Sequence, residues 1–211
     1  MNFEIIDLGI TDYEQSLLLQ KQFQQKRQTG IIRDTLLLME YAPVITLGRS
    51  ADYAHILAHP EYLKQKKIKI IKASRGGEVT IHLPGQIVAY PIFDLRIWGK
   101  DIHLFIRKLE QVMLEYLSIY KIFGQTIKGF SGAWVNDQKI GFIGISISRW
   151  VSCYGLSLNV NCNLDFFSLI VPCGIKDKKI TSVENILGKK VPFAQAKINF
   201  CQAFKNVFNN Q

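Results

Sequence analysis

The sequence predicts an α+β fold, a single domain over residues 1–211 in which helices pack on a mixed β-sheet. Three observations carry that expectation. A stripe of Ile102, Phe105, Ile106, Leu109, Met113, Tyr116, Leu117 and Tyr120 recurs at three-to-four spacing, the period of a helix with one buried face. Short apolar runs of strand character fill much of residues 36–47, 79–95 and 133–160. The chain has 211 residues, of which 48% are apolar, so a sizeable core can be buried and a disordered chain is excluded.

Taken in order, Thr11-Asp12-Tyr13-Glu14 has the spacing of a capping box, in which the Thr11 hydroxyl serves an early backbone N–H and Glu14 reaches back. Leu17, Leu18 and Phe23 continue this first helix, and Gly30 ends it. Residues 36–39 and 44–47 are apolar runs separated by Ala42-Pro43, where proline would interrupt a ladder, so two strands are expected rather than one. Ile68, Ile70 and Ile71 alternate with lysines ahead of Arg75-Gly76-Gly77 and predict a strand entering a tight turn. Extended character continues through 79–82, 87–90 and 92–95, and the amphipathic helix follows. Ala133-Trp134-Val135, the polar Asn136-Asp137-Gln138 and the run Ile140, Phe142, Ile143, Ile145 and Ile147 read as a hairpin. Residues 155–160 form a further strand, and a last helix carries Ile198, Cys201, Phe204, Val207 and Phe208.

Charge is distributed unevenly. Twenty-six basic side chains oppose 17 acidic ones, a formal charge of +9, and the surplus sits in residues 61–75 and 174–211, each at +5. These are either solvated faces or docking surfaces for an acidic protein or a nucleic acid. The four cysteines, at 153, 162, 173 and 201, have no C-x-x-C spacing, so neither a disulfide framework nor a metal site is expected. No apolar run reaches the roughly 18–20 residues of a membrane span, and MNFEIIDLG lacks the pattern of a signal peptide. The expectation is a soluble, cytoplasmic protein with no membrane partner.

Two places could carry chemistry. In Ser74-Arg75-Gly76-Gly77-Glu78-Val79-Thr80-Ile81-His82-Leu83-Pro84-Gly85-Gln86, paired glycines let a ligand lie against backbone N–H groups, while Arg75 and His82 add a fixed cation and a titratable ring. Paired glycines are more often only a turn, and the segment matches neither the Walker A pattern nor the dinucleotide fingerprint. Cys173 is bracketed by Pro172 and Gly174, which sets this thiol at a chain corner that a substrate can approach. Cys153, Cys162 and Cys201 lack that frame and read as small buried hydrophobes. An unperturbed thiol is only about 3% ionised at pH 7, so a reactive one needs a cation nearby. His55, His59 and His103 fall in loops or solvated helix faces. Lys139 stands where a polar turn meets an apolar strand, the place of an ordinary exposed turn lysine or of a proton-moving one.

Taken together, these segments resemble the octanoyltransferases of lipoate biosynthesis, the lipoate-protein ligase B family. The matching blocks are Arg75-Gly76-Gly77 with Thr80, His82 and Pro84-Gly85-Gln86; Tyr90-Pro91-Ile92; Gly132-Ala133-Trp134-Val135 with Lys139-Ile140 and Gly144-Ile145; Ser148-Arg149-Trp150; Gly155-Leu156 with Leu158-Asn159-Val160-Asn161; and Ile170-Val171-Pro172-Cys173-Gly174-Ile175 with Thr181-Ser182-Val183. They span about residues 30 to 190 in family order. The resemblance implies a biotin/lipoyl protein ligase-like domain that moves an octanoyl group from acyl carrier protein to a lysine of a lipoyl domain or of glycine-cleavage H protein, with no cofactor or metal. It implies that Cys173 is the nucleophile and Lys139 the residue that lowers its pKa and moves protons. Residues 75–82 (Arg75, Gly76, Gly77, Glu78, Val79, Thr80, Ile81, His82), with Phe142, Ile143, Gly144, Gly155, Leu156 and Ser157, would line the acyl-substrate site.

Departures from the family pattern occur at Ile81, Leu83, Tyr154 and Ser157, and Leu83 and Tyr154 are expected beside the pocket. Carrier proteins and lipoyl domains are generally acidic, so the resemblance also gives the +9 a counterpart. An amidotransferase of the same fold, moving octanoyl between lipoyl-carrying proteins, would use the same cysteine. A basic nucleic-acid-binding module is the reading from another class, but neither basic segment interleaves aromatic residues regularly or carries a reader motif.

Overall fold

The computed structural model describes residues 3–172 and 179–209. Its elements are β1 (Glu4–Thr11), α1 (Tyr13–Gln28), β2 (Thr35–Tyr41), β3 (Val44–Leu47), α2 (Pro60–Gln65), β4 (Lys69–Lys72), β5 (Val79–His82) and β6 (Gln86–Ile92), then α3 (Ile102–Ile119), β7 (Gln125–Ile127), β8 (Phe130–Val135), β9 (Gln138–Ser148), β10 (Val151–Asn159), α4 (Val183–Leu187) and α5 (Phe193–Asn209). Seven strands form one sheet in the order β1-β2-β6-β10-β9-β8-β7, and three form a second in the order β4-β3-β5. The pairs β1/β2 and β3/β4 are parallel, each with a helix in its connection, and the other pairs are antiparallel. This is the mixed-sheet α+β architecture the sequence predicts.

Alternation along the central strands sets the layers. β2 sends Leu36 and Leu38 to one face and Leu37, Met39 and Tyr41 to the other; β6 divides Ile87 and Ala89 from Val88, Tyr90 and Ile92 in the same way. With both faces apolar, both must be covered. α3 and α5 cover the first with Phe105, Leu109, Met113, Phe200, Phe204 and Phe208. α1 covers the second through Tyr13 and Leu17. A third core joins the small sheet, with Ile45, Val79, Ile81 and Leu83, to Phe142, Phe167 and Ile170.

The proline at 43 separates β2 from β3 and also assigns them to different sheets. Asn136 and Asp137 alone connect β8 to β9, and Asn136 has φ 54°, which a tight hairpin turn requires. Two local expectations are corrected. The cap of α1 is Asp12, whose Oδ1 accepts from the N–H groups of Glu14 and Gln15, while Thr11 ends β1 and its hydroxyl donates to Leu8 O. The strand expected over 92–95 stops at Ile92, because Asp94 accepts from Arg96 N–H and caps a 3-10 turn, Leu95–Trp98.

Phe204 is fully buried, stacks on Phe208 with centroids 4.4 Å apart, and meets Phe3 and Phe93 edge-on. Phe204→Ala is expected to lower the unfolding free energy by about 3–5 kcal/mol, the cost of a large aromatic-to-alanine cavity, in urea denaturation.

Candidate active site

A cavity of about 410 Å³ opens between the two sheets, within the usual range of ligand pockets. Its first wall is the turn between β4 and β5 together with β5 itself, and its second is formed by β9 and β10. Gly77 takes φ +84°, a conformation that glycine adopts without strain. Gly76 N donates to Ile145 O at 2.8 Å and fastens the turn to β9. At Gly155 an added Cβ would lie 2.2 Å from Ala89 O, so only a bare backbone fits between β6 and the cavity.

The residues singled out from the sequence converge here. Arg75, Gly76, Gly77, Glu78, Val79, Thr80, His82, Lys139, Phe142, Ile143, Gly144, Gly155, Leu156 and Ser157 line the cavity. Ile81 does not: it alternates to the opposite face of β5, pairs with Ile45 and is fully buried in the third core. Leu83 and Tyr154 are not in the lining either. Leu83 is buried in the third core. Tyr154 extends its hydroxyl to Ser74, accepting from the backbone N–H at 3.1 Å. Arg49, Tyr90, Ile106, Phe130, Ser131 and Ile145 also line the cavity. Tyr90 and Ile145 lay within matched blocks, whereas Arg49 carried no sequence signal.

Arg75 is only 7% exposed. Its Nη2 donates to Thr46 O and Thr46 Oγ1, both at 2.8 Å, and Nη1 to Gly76 O at 3.1 Å; Nε is buried without a partner among the described residues. Its partners among the described residues are thus carbonyl and hydroxyl oxygens. His82 stacks on Tyr13 and packs against Tyr41. Burial, reinforced by the Arg75 charge, pushes its pKa down to about 3, so the ring is neutral at neutral pH. His82 Nδ1 lies 3.3 Å from Gln86 Oε1, Gln86 Nε2 donates to Asn159 Oδ1, and Asn159 Nδ2 donates to Thr181 O.

Lys139 is 4% exposed. Its Nζ donates to Ser131 O at 2.9 Å and sits 5.1 Å from the Trp134 ring centre and 5.3 Å from that of Phe142. Its backbone N–H donates to Lys179 O, and its carbonyl accepts from Thr181 N–H. Cys173, the expected nucleophile, lies outside the described residues. The last residues before it are held by Val171 N–H donating to His55 O and by the Ile56–Ile170 bridge. Burial pushes the thiols of Cys153 and Cys162 up to about 11 and about 12, and raises that of Cys201 as well. These three are poor nucleophiles near neutral pH. His59 caps α2 through Glu61 N–H, and His103 is exposed on α3. His55 instead pairs with Glu78 at 3.1 Å.

Because the folded-state pKa of His82 lies below the ordinary 6.5, the unfolded chain binds the proton that the native chain refuses. Stability from this source is complete above pH 6.5 and declines as the pH falls toward 3. Urea midpoints measured across that window should fall with pH, and His82→Phe should flatten the slope; an unchanged slope in the variant would contradict a neutral buried ring.

The described fold and cavity have known counterparts. Residues 12–205 match the lipoyl protein ligase A/B catalytic domain family. An octanoyltransferase of Caldicellulosiruptor saccharolyticus is 42% identical over 210 residues, which cover 99% of this chain and 89% of that protein. That of Alkaliphilus metalliredigens is 41% identical, covering 99% and 96%. Among solved structures, lipoate-protein ligase A bound with ATP superposes with a TM-score of 0.79 at 13% identity over 99% of this chain and 86% of its own. Apo biotin protein ligase from Aquifex aeolicus does so with a TM-score of 0.54 at 13% identity, over 99% and 70%. The fold is therefore shared with ligases, while the nearly full-length sequence identity is with transferases: the chain belongs to the octanoyltransferases, acyltransferases of the lipoyl protein ligase A/B catalytic-domain family.

Proposed function

We propose that the protein takes octanoyl from octanoyl-acyl carrier protein and delivers it to a lysine of a lipoyl domain or of glycine-cleavage H protein, through a thioester on Cys173. The observation that carries this reading is the place of Lys139. It lines the cavity, and its main chain pairs with Lys179 and Thr181, on the far side of the segment that holds Cys173. Burial raises the pKa of each of the other three thiols and so disfavours their thiolates.

In the first half-reaction Lys139, as its ammonium, holds Cys173 as a thiolate. The sulfur attacks the thioester carbonyl, the C–S bond to the carrier's thiol breaks, and the departing thiolate takes a proton from Lys139. In the second, the acceptor lysine gives one proton to solvent and attacks as a neutral amine. The tetrahedral adduct passes its second proton to Lys139, and the bond to Cys173 breaks to leave the amide and the thiolate. Exchange of one thioester for another changes little in energy and amide formation runs downhill, so no nucleotide is consumed. Backbone N–H groups of the glycine wall can receive the developing oxyanion, a contribution of about 3–4 kcal/mol per well-placed donor. Val79, Ile143 and Leu156 offer the chain an apolar lining, at about 0.8 kcal/mol per buried CH₂. Lys64, Lys66, Lys67 and Lys72 are exposed on α2 and β4 and around them, a basic surface suited to acidic carrier proteins. Thiolate chemistry of this kind belongs in a reducing cytoplasm.

Incubation with octanoyl-acyl carrier protein should add one hydroxylamine-labile octanoyl mass, absent in Cys173→Ala; an adduct that persists in the variant would sink the assignment. Lys139→Ala should slow alkylation of Cys173 near neutral pH, and a rate and pH profile equal to those of the parent would remove its role.

A further inference from the structure

The cavity is cationic, with Arg49, Arg75 and Lys139 in its lining, and Glu78 is the only carboxylate among the described lining residues. The resemblance groups Glu78 with the acyl-substrate wall, yet an acyl chain offers nothing for a carboxylate to bind. The phosphate of a carrier's prosthetic arm would be repelled by it. The one cationic reactant in the proposed reaction is the acceptor lysine, whose free amine has a pKa of about 10.4 and so arrives as an ammonium.

Glu78 is held for such a contact. Its Oε2 accepts from Asp52 N–H at 3.3 Å and faces His55 Nδ1 at 3.1 Å, and no other hydrogen bond to the carboxylate is formed among the described residues. Oε1 is therefore left without a partner among the described residues, on a side chain that is 24% exposed. The main-chain carbonyl of His55 accepts from Val171 N–H at 2.8 Å, two residues before Cys173. The Glu78–His55 pair thus stands where the glycine wall meets the segment leading to the expected nucleophile.

We infer that Glu78 is the docking group for the acceptor lysine: its free carboxylate oxygen receives the incoming ammonium within a cavity that otherwise repels it, and His55 fixes the carboxylate in place. The inference rests on the proposed function and adds to it the residue that distinguishes the second substrate from the first. Glu78 binds and orients the ammonium; the proton lost before attack still goes to solvent.

The test separates the half-reactions on the full chain. With octanoyl-acyl carrier protein as donor, wild-type and Glu78→Gln proteins are loaded and the acyl-enzyme is then challenged either with an unlipoylated lipoyl domain or with hydroxylamine, a nucleophile that is neutral at the assay pH. Glu78→Gln should lower transfer to the lipoyl domain about tenfold relative to cleavage by hydroxylamine, and raise the KM for that domain. Glu78→Asp, which keeps the charge, should recover part of the loss. Equal ratios in wild type and Glu78→Gln would overturn the inference, as would loss of both reactions in equal measure in Glu78→Gln and Glu78→Asp alike. Failure of the wild-type chain to form any acyl-enzyme is a different result, and it would overturn the proposed function itself.

Discussion

The buried guanidinium of Arg75 is the constraint around which the site is arranged. A charge removed from water is expensive unless its donors are occupied. Here the two terminal nitrogens donate to Thr46, on β3 of the small sheet, and to Gly76 in its own turn, while the aliphatic part of the side chain fills the space that Gly144 leaves open on β9 of the large sheet. Arg75 O accepts from Arg49 N–H, so the same residue also fixes the loop that follows β3. One cation thereby joins both sheets at the cavity, and its field helps keep His82 neutral. A wall built this way is rigid because charge, not only shape, would be misplaced if it moved.

A second constraint lies in the middle of the large sheet. Pro91 sits in β6, between β2 and β10, where it has no N–H for the ladder. The side chains compensate: Ser152 Oγ donates to Pro91 O at 2.6 Å and accepts from Phe93 N–H at 2.9 Å. Tyr154, with φ 59°, turns its N–H to Gln20 Oε1 on α1. That explains why α1 buries Gln20, while the neighbouring buried Ser16 is satisfied by Tyr13 O and the Tyr41 hydroxyl; a plain amphipathic helix would keep both in solvent. It also draws Tyr154 to the α1 face and away from the cavity, so this departure from the family pattern acts behind the site, through Ser74.

How much of this was legible in the sequence depended on whether the partner of each residue was local. The stripe of α3 and the hairpin of β8 and β9 are written in periodicities of 3.6 and 2; the ends of α3 are legible to within a residue, whereas β8 begins three residues before the expected Ala133. β1 was missed because Glu4–Thr11 is only half buried and its alternation is weak; it becomes a strand by pairing with β2 across α1. The capping box was misread by one residue because Thr11 and Asp12 both qualify, and only the strand ending at Thr11 decides between them. At the site, the wall and both halves of the second wall were legible as blocks, but Ile81 was assigned with its neighbours when strand alternation turns it away. Arg49 and Ile106 reach the cavity from elements that only the tertiary fold brings together: nothing in the local sequence marks Arg49, and the stripe of α3 marks Ile106 only as a residue of the packed face.

The chain of amides from Gln86 through Asn159 to Thr181 stores active-site geometry in a different currency from the cores around it. Burial of Leu or Phe rewards any arrangement that excludes water, since it has no direction. Asn159 must present oxygen to Gln86 and nitrogen to Thr181, so its two ends cannot be exchanged without setting donor against donor and acceptor against acceptor. The position of the chain that returns from Cys173 is thus specified by the polarity of one side chain, a piece of information that a replacement of equal size would erase.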